Sequence, residues 1–125
     1  MEPQALNRVV DSGGHTVVRI QPQKLDRVMS PQTASEINSM MVAAVNEGPG
    51  GAAAIPGISV AGKTGTAETG SSGINTTWFI CFAPAEHPQV AVAVTLQNQT
   101  GFGGTTAAPI AKLLMQAVLS PRSKK

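Results

Sequence analysis

Ile58-Ser59-Val60-Ala61-Gly62-Lys63-Thr64-Gly65-Thr66-Ala67-Glu68 is the stretch on which the reading of this chain turns. Ile58 to Thr66 has the character of a strand, but Gly62 and Gly65 strip side chains from its interior. Glycine inside a strand marks a place where another backbone or a ligand must come close. Three readings compete. In the plainest, this is a glycine-punctuated edge strand with a solvated lysine, and the tripeptide Lys63-Thr64-Gly65 alone supports nothing more. In the second, Gly57 to Thr64 satisfies G-x-x-x-x-G-K-[ST], the pattern of a phosphate-binding loop. That loop must follow a buried strand and open a helix, because loop amides and the helix N-terminus cradle the phosphates. Gly50 to Pro56 is no strand, and Gly65, Gly70 and Gly73 are too close together for a stable helix. No aspartate ends a later apolar strand to hold magnesium. In the third, an extended acyl chain lies along the strand edge by backbone pairing, and Gly65 has no side chain to block that approach.

Working outward, Ser30 and Pro31 suit the N-cap and first turn of a helix. Ala34, Ile37, Met40, Met41, Ala44 and Val45 recur three and four apart, which predicts one buried helix face ending near Asn46. The Met40-Met41 pair reads as core. Gly48-Pro49-Gly50-Gly51 stops that helix, and residues 48–57 read as a loop. On the other side, Thr69 to Thr76 is a flexible loop. Trp78 to Ala83 is apolar throughout, as expected of a central strand covered on both faces, with Trp78 filling the sheet core and, as a lesser alternative, lining a cleft. Pro84 to Pro88 reads as a hairpin loop. Val90, Val92, Val94 and Leu96 alternate with Ala91, Ala93, Thr95 and Gln97, a strand with one bulky face and one small face on which a helix can pack closely. Thr100 to Thr106 is a glycine-rich loop. A last helix carries Ile110, Leu113, Leu114, Ala117 and Val118 on its expected core stripe, with Pro109 in its first turn and Pro121 at its end. Upstream, Asp11-Ser12-Gly13-Gly14 is a turn, and Thr16 to Ile20 a strand at an edge, because Pro22 follows.

The 125 residues allow one domain or a piece of a larger one, and a 42% hydrophobic content suffices for a core. Aromatics make up 3% and tyrosine is absent, so stacking platforms for single-stranded nucleic acid are lacking and no nucleic-acid partner is expected. The net charge of +2 draws on Arg122, Lys124 and Lys125, which read as a solvated tail. Cys81 is the only cysteine, which excludes an intrachain disulfide, and its apolar neighbours make it a buried hydrophobe rather than a nucleophile. His15 in a glycine turn and His87 in a proline-bounded loop read as solvated surface residues. Glu68 reads as a turn or salt-bridge residue, with a secondary reading at the mouth of a site. No stretch is long or apolar enough to span a membrane and no signal peptide opens the chain, so an exported parent carries its export signal outside these residues.

In its eight-residue form, Ala61-Gly62-Lys63-Thr64-Gly65-Thr66-Ala67-Glu68 resembles the third signature of the class B penicillin-binding proteins, serine enzymes with the motif set S-x-x-K, S-D-N and K-T-G. The flanks agree: a Ser30-Pro31-Gln32-Thr33-Ala34 helix start, an Ile55-Pro56-Gly57 turn, a strand from Trp78-Phe79 to Phe82-Ala83-Pro84, and a final helix near Ala107-Ala108-Pro109-Ile110-Ala111. The resemblance covers essentially the whole chain and is strongest to short actinobacterial-type class B transpeptidases. It implies an α+β fold, the C-terminal portion of the β-lactamase/transpeptidase-like fold, with an antiparallel sheet and packed helices. Within 1–125 it implies a strand and turns at 1–30, a helix at 31–46, a three-stranded antiparallel unit at 58–98 and a terminal helix at 106–119.

The resemblance also implies roles. Lys63 points into the site as a positive charge linked to the catalytic network. Thr64 faces away and packs. Gly65 leaves room for the substrate backbone. Thr66 gives its hydroxyl to the substrate carboxylate and its backbone N–H to the oxyanion hole. The implied partners are peptidoglycan stem peptides, β-lactam antibiotics and the N-terminal part of the same domain, without a cofactor or metal, at the extracytoplasmic face of the cell membrane. The departure from the family is plain. Lysine never stands three residues after a serine: Ser12 meets His15, Ser30 meets Thr33 and Ser59 meets Gly62, and there is no Ser-x-Asn. The nucleophile and the second oxyanion N–H are therefore absent from this chain. It is expected to be a proteolytic product, the product of a split gene or an expressed piece, inactive alone and prone to self-association through the sheet face meant for the missing part. The alternatives are a degenerate, non-catalytic penicillin-binding module, or part of a β-lactamase or β-lactam sensor.

Overall fold

The computed structural model describes residues 5–21, 23, 26–70 and 72–120. Pro22, Pro121 and the basic run of Arg122, Lys124 and Lys125 lie outside the described residues. The chain forms two compact units, Met1–Ser30 and Pro31–Lys125.

The first unit is a hairpin of β1 (Arg8–Val10) and β2 (Thr16–Arg19), antiparallel, with Val9 opposite Val18 and a register shift after Val9. The sequence suggested only the second of these strands. The turn between them closes on Asp11, whose Oδ1 accepts the backbone N–H of Gly13 and of His15, each at 2.9 Å. Gly14 takes a φ of 82°, a left-handed conformation that glycine adopts without a steric penalty.

In the second unit, α1 (Pro31–Asn46) is followed by a short 3₁₀ turn at Gly51–Ala53. Next come β3 (Ala61–Glu68), β4 (Asn75–Ala83), β5 (Val90–Gln99) and α2 (Gly103–Leu119). The three strands form one antiparallel sheet in the order β3-β4-β5, so this is an α+β unit with β3 at an edge. Strand β3 starts at Ala61 rather than Ile58 because Ile58 belongs to a tight turn. Its N–H donates to the carbonyl of Ile55 (3.1 Å), and Pro56 and Gly57, the latter with φ 76°, fill the two central places. Proline followed by a positive-φ glycine is the pairing a type II turn needs.

Helix α2 covers one face of the sheet. Val45, Phe79, Cys81, Val94, Ala107, Ala108, Ala111 and Met115 form the buried cluster between them, joined by the partly buried Val90, Val92 and Leu96. Several sequence expectations are corrected here. Helix α2 begins at Gly103, so Pro109 lies in its second turn. Its buried face is Gly103, Gly104, Ala107, Ala108, Ala111 and Met115, whereas the bulky stripe points outward, with Leu113 66% and Val118 58% exposed. The helix packs on the bulky face of β5, and the small face, Ala91, Ala93 and Thr95, is open. The two corrections have one cause. Close packing matches small residues on one element to large ones on the other, and periodicity does not reveal which way round. Strand β4 is central in the sheet but covered on one face only. Thr77, Phe79, Cys81 and Ala83 are buried, whereas Trp78 is 43% and Ile80 48% exposed, so Trp78 does not fill the core. Of the expected α1 face only Val45 is fully buried, and Met40 is exposed. A second tie holds α1 where Asn38 Nδ2 donates to the carbonyl of Ala85 (3.1 Å).

Candidate active site

The alternation of β3 sorts the candidate residues. Directly opposed residues in an antiparallel pair share a face. Lys63 opposes Ile80 and Gly65 opposes Trp78, on the open face. Thr64 opposes Phe79 and Thr66 opposes Thr77, on the face toward α2. Lys63, Thr64, Gly65 and Thr66 thus lie consecutively along the edge strand, with no strand beyond them among the described residues.

Lys63 is exposed, and its Nζ donates to the carbonyl of Thr64 at 2.7 Å. An ammonium has three donors, so this bond leaves two for partner groups. Its stem borders an apolar groove of about 450 Å³ between α1 and the open sheet face, lined also by Ile37, Met40, Met41, Ala44 and Ile80. Gly65 lies flat against its neighbour: a Cβ there would stand 3.2 Å from Trp78 Cβ. Gly62 is tighter, since a Cβ would meet Phe79 Cζ at 2.6 Å and Val45 Cγ2 at 3.1 Å. These two glycines therefore differ. Gly62 lets the core close under the strand, and Gly65 keeps the open face low beside the indole.

Thr64 is half-buried, with its methyl toward Gly104. Thr66 is exposed, and its Oγ1 accepts the backbone N–H of Gly103 at 3.4 Å. The segment in which α2 begins is missing from the sequence reading, which took Gly103 and Gly104 as loop. Their positions have a steric reason. A Cβ on Gly103 would stand 2.2 Å from the carbonyl oxygen of Trp78 and 2.6 Å from that of Gly65, and a Cβ on Gly104 would stand 2.0 Å from the carbonyl oxygen of Pro49. The Gly-Gly doublet just before an apolar helical run was the signal available. Beneath Thr66, the fully buried Thr77 pairs its hydroxyl with that of Thr106 (2.8 Å).

The remaining candidates stand apart from this strand. Cys81 is buried, with Sγ 3.5 Å from Met115 Sδ, and burial pushes its thiol up to about 11. Glu68 is exposed at the end of β3 and borders a polar hollow at the β3–β4 hairpin tip with Gly70, Ser72, Gly73 and Asn75. His87 is exposed in the β4–β5 loop, and His15 is exposed beside Asp11. Among the described residues, no group of three or more His, Cys, Asp or Glu is placed to hold a metal ion. The phosphate-loop frame fails on its geometry, because Lys63 and Thr64 lie within β3 and the next element is the strand β4 rather than a helix.

The antiparallel sheet edged by β3 and backed by α2 matches a portion of the transpeptidase domain in fold, and comparison with known protein families agrees. The profile of the penicillin-binding protein transpeptidase domain matches residues 1–116. This chain belongs to that family, and its relatives are class B penicillin-binding proteins. It is 43% identical over 102 residues to the peptidoglycan D,D-transpeptidase PbpA of Mycobacterium tuberculosis, covering 74% of this chain and 20% of that protein. It is 38% identical over 109 residues to stage V sporulation protein D of Bacillus subtilis, covering 81% of this chain and 17% of that protein. Among solved structures it superposes on the ceftriaxone acyl-enzyme complex of penicillin-binding protein A from M. tuberculosis with a TM-score of 0.80 and 34% identity, over 90% of this chain and 27% of that one. The chain spans about a fifth of the length of the curated relatives it matches.

Proposed function

We propose that this chain supplies the substrate-binding edge strand of a serine D,D-transpeptidase that cross-links peptidoglycan stem peptides in the cell envelope, outside the cytoplasmic membrane. The observation that carries this reading is that the eight residues Ala61 to Glu68 form, residue for residue, an edge strand with no strand beyond it among the described residues. An extended stem peptide adds to that edge by backbone hydrogen bonds, and the bare Cα of Gly65 keeps the approach clear. Lys63 sets a positive charge beside the substrate and the attacking serine. Thr64 packs toward α2 and holds the strand in place. Thr66 donates its hydroxyl to the substrate's terminal carboxylate and its backbone N–H to the oxyanion that forms as the serine attacks. The serine, its Ser-x-x-Lys lysine and the Ser-x-Asn residues occur nowhere in these 125 residues. They come from the rest of the domain, and this chain by itself is inactive. The related protein captured as a ceftriaxone acyl-enzyme supports β-lactams as ligands of the completed site.

Acylation of the complete domain carrying this segment by a fluorescent penicillin tests the reading. Lys63→Ala and Thr66→Val are expected to slow acylation by roughly a hundredfold or more, the scale of losing one preorganised transition-state donor. Acylation of Lys63→Ala at the parent rate overturns the role given to β3. A stable, stoichiometric adduct on the 125-residue chain alone overturns its dependence on an external serine.

A further inference from the structure

We propose that Thr77, Thr106 and the backbone N–H of Gly103 form a positioning network that commits the Thr66 hydroxyl to donate outward, toward an anionic group on the substrate. The inference rests on the reading of Thr66 as the carboxylate-binding residue and adds the device that orients it.

The first N–H groups of a helix have no intrahelical acceptor. That of Gly103 is directed at Thr66 Oγ1, 3.4 Å away. A hydroxyl carries one proton and two lone pairs. Once Thr66 accepts from Gly103, its own proton is turned away from the helix, and Thr66 is exposed on its other side. The partial positive charge at a helix N-terminus favours negative charge on that oxygen's far side, which strengthens donation to an anion.

The alignment depends on where the first turn of α2 is pinned. Thr77 is the cross-strand partner of Thr66, is fully buried, and meets Thr106 hydroxyl to hydroxyl at 2.8 Å. The Thr106 hydroxyl donates to the carbonyl of Phe102 at 2.9 Å, so Thr77 donates to Thr106. One side chain of the sheet is thereby tied to the residue that precedes Gly103. The N–H of Phe102 in turn donates to Thr105 Oγ1 at 3.3 Å, which fixes the same turn from its outer side. The missing Cβ of Gly103 completes the arrangement. Any side chain there would collide with the carbonyl oxygens of Trp78 and Gly65, at 2.2 and 2.6 Å, and lift the turn off the strand that bears Thr66. Thr77 is fully buried and Thr106 is bonded to it and to Phe102, so both act on Thr66 by holding the turn that carries the Gly103 N–H.

The test measures acylation of the complete domain carrying this segment by benzylpenicillin and by its methyl ester, which lacks the anionic carboxylate. The ratio of the two rates is independent of how much of a variant is folded. Thr66→Val should collapse the ratio. Thr106→Val and Thr77→Val, which keep side-chain shape but lose the hydroxyl, should lower it by about three- to tenfold, the effect of one hydrogen bond, and Thr106→Ser should restore it. If Thr66→Val collapses the ratio while both valine variants keep the parent value, or slow acid and ester equally, the network is not a positioning device and the proposal fails alone. If Thr66→Val leaves the ratio unchanged, the carboxylate reading of Thr66 fails and takes the proposal with it.

Discussion

At the scale of single residues, the glycines of this chain divide by what they touch. A methyl group at Gly62 would press on the tip of the Phe79 ring at 2.6 Å, a side chain that can tilt. A methyl group at Gly103 would press on the backbone oxygen of Trp78 at 2.2 Å, which cannot move without breaking the ladder. Gly62→Ala is therefore expected to destabilise by about 1–3 kcal/mol, the usual range for overpacking, and Gly103→Ala by more. Urea unfolding of the two variants side by side checks the order, and equal midpoints would refute it. Cys81 gives a second residue-scale expectation. Desolvation pushes its thiol up to about 11, so almost no thiolate exists at pH 8 in the folded chain. Iodoacetamide should label it slowly in buffer and rapidly in denaturant, and fast native labelling would mean that the β4–α2 seam opens.

At the scale of elements, one carboxylate braces the turn of the β1–β2 hairpin. The backbone N–H of His15 holds Asp11 below the usual carboxylate range, aided by the His15 ring and the N–H groups of Gly13 and Gly14, against a smaller opposing desolvation. A folded-state pKa below the unfolded one means that the stabilisation is complete above the unfolded value and fades as pH falls through the folded one. The amide chemical shift of Gly13, which donates to Asp11, should therefore report the loss of that stabilisation in acid, and Asp11→Asn should flatten that acid titration. In the second unit, the element that behaves against its pattern is α2. Ala108 is fully buried and Leu113 is 66% exposed. Ala108→Leu is expected to cost about 1–3 kcal/mol by overpacking, and Leu113→Gln to change the stability of the isolated chain by about 0.5 kcal/mol or less. The opposite order would restore the stripe read from periodicity.

At the scale of the whole molecule, the second unit exposes apolar surface on both sides of its sheet. Trp78, Ile80, Ala91 and Ala93 are open on one, and Leu113, Leu114 and Val118 on the outer surface of α2 on the other. Single exposed apolar residues are ordinary, but contiguous ones mark association surfaces. The 125-residue chain is expected to self-associate at micromolar concentration. Light scattering should report species above monomer mass, and Ile80→Lys with Leu113→Lys should shift them toward monomer. A monodisperse monomer of the unaltered chain would count against this.

Much of this protein was legible without coordinates. The period-3.6 pattern located α1 and α2 and the period-two pattern located β5 to within a few residues, because side-chain direction in a strand or helix follows from the backbone repeat alone, whereas β4 was read from a continuous apolar run. The octapeptide Ala61 to Glu68, whose Gly-Lys-Thr-Gly-Thr core is far more specific than the Lys-Thr-Gly tripeptide alone, carried the family resemblance. What the sequence could not determine was which face meets which. The alternation of large and small residues on β5 and α2 permits either face to be buried, and hydrophobicity favours the bulky stripe of α2. Tertiary packing chose Ala107, Ala108 and Ala111 against Val94 and Phe79, because only small side chains let the helix approach close enough to fill the space between the elements. The same close approach brings Gly103 onto the β3–β4 backbone and its N–H to Thr66. Residues so far apart along the chain meet only through the fold, and no local pattern connects them.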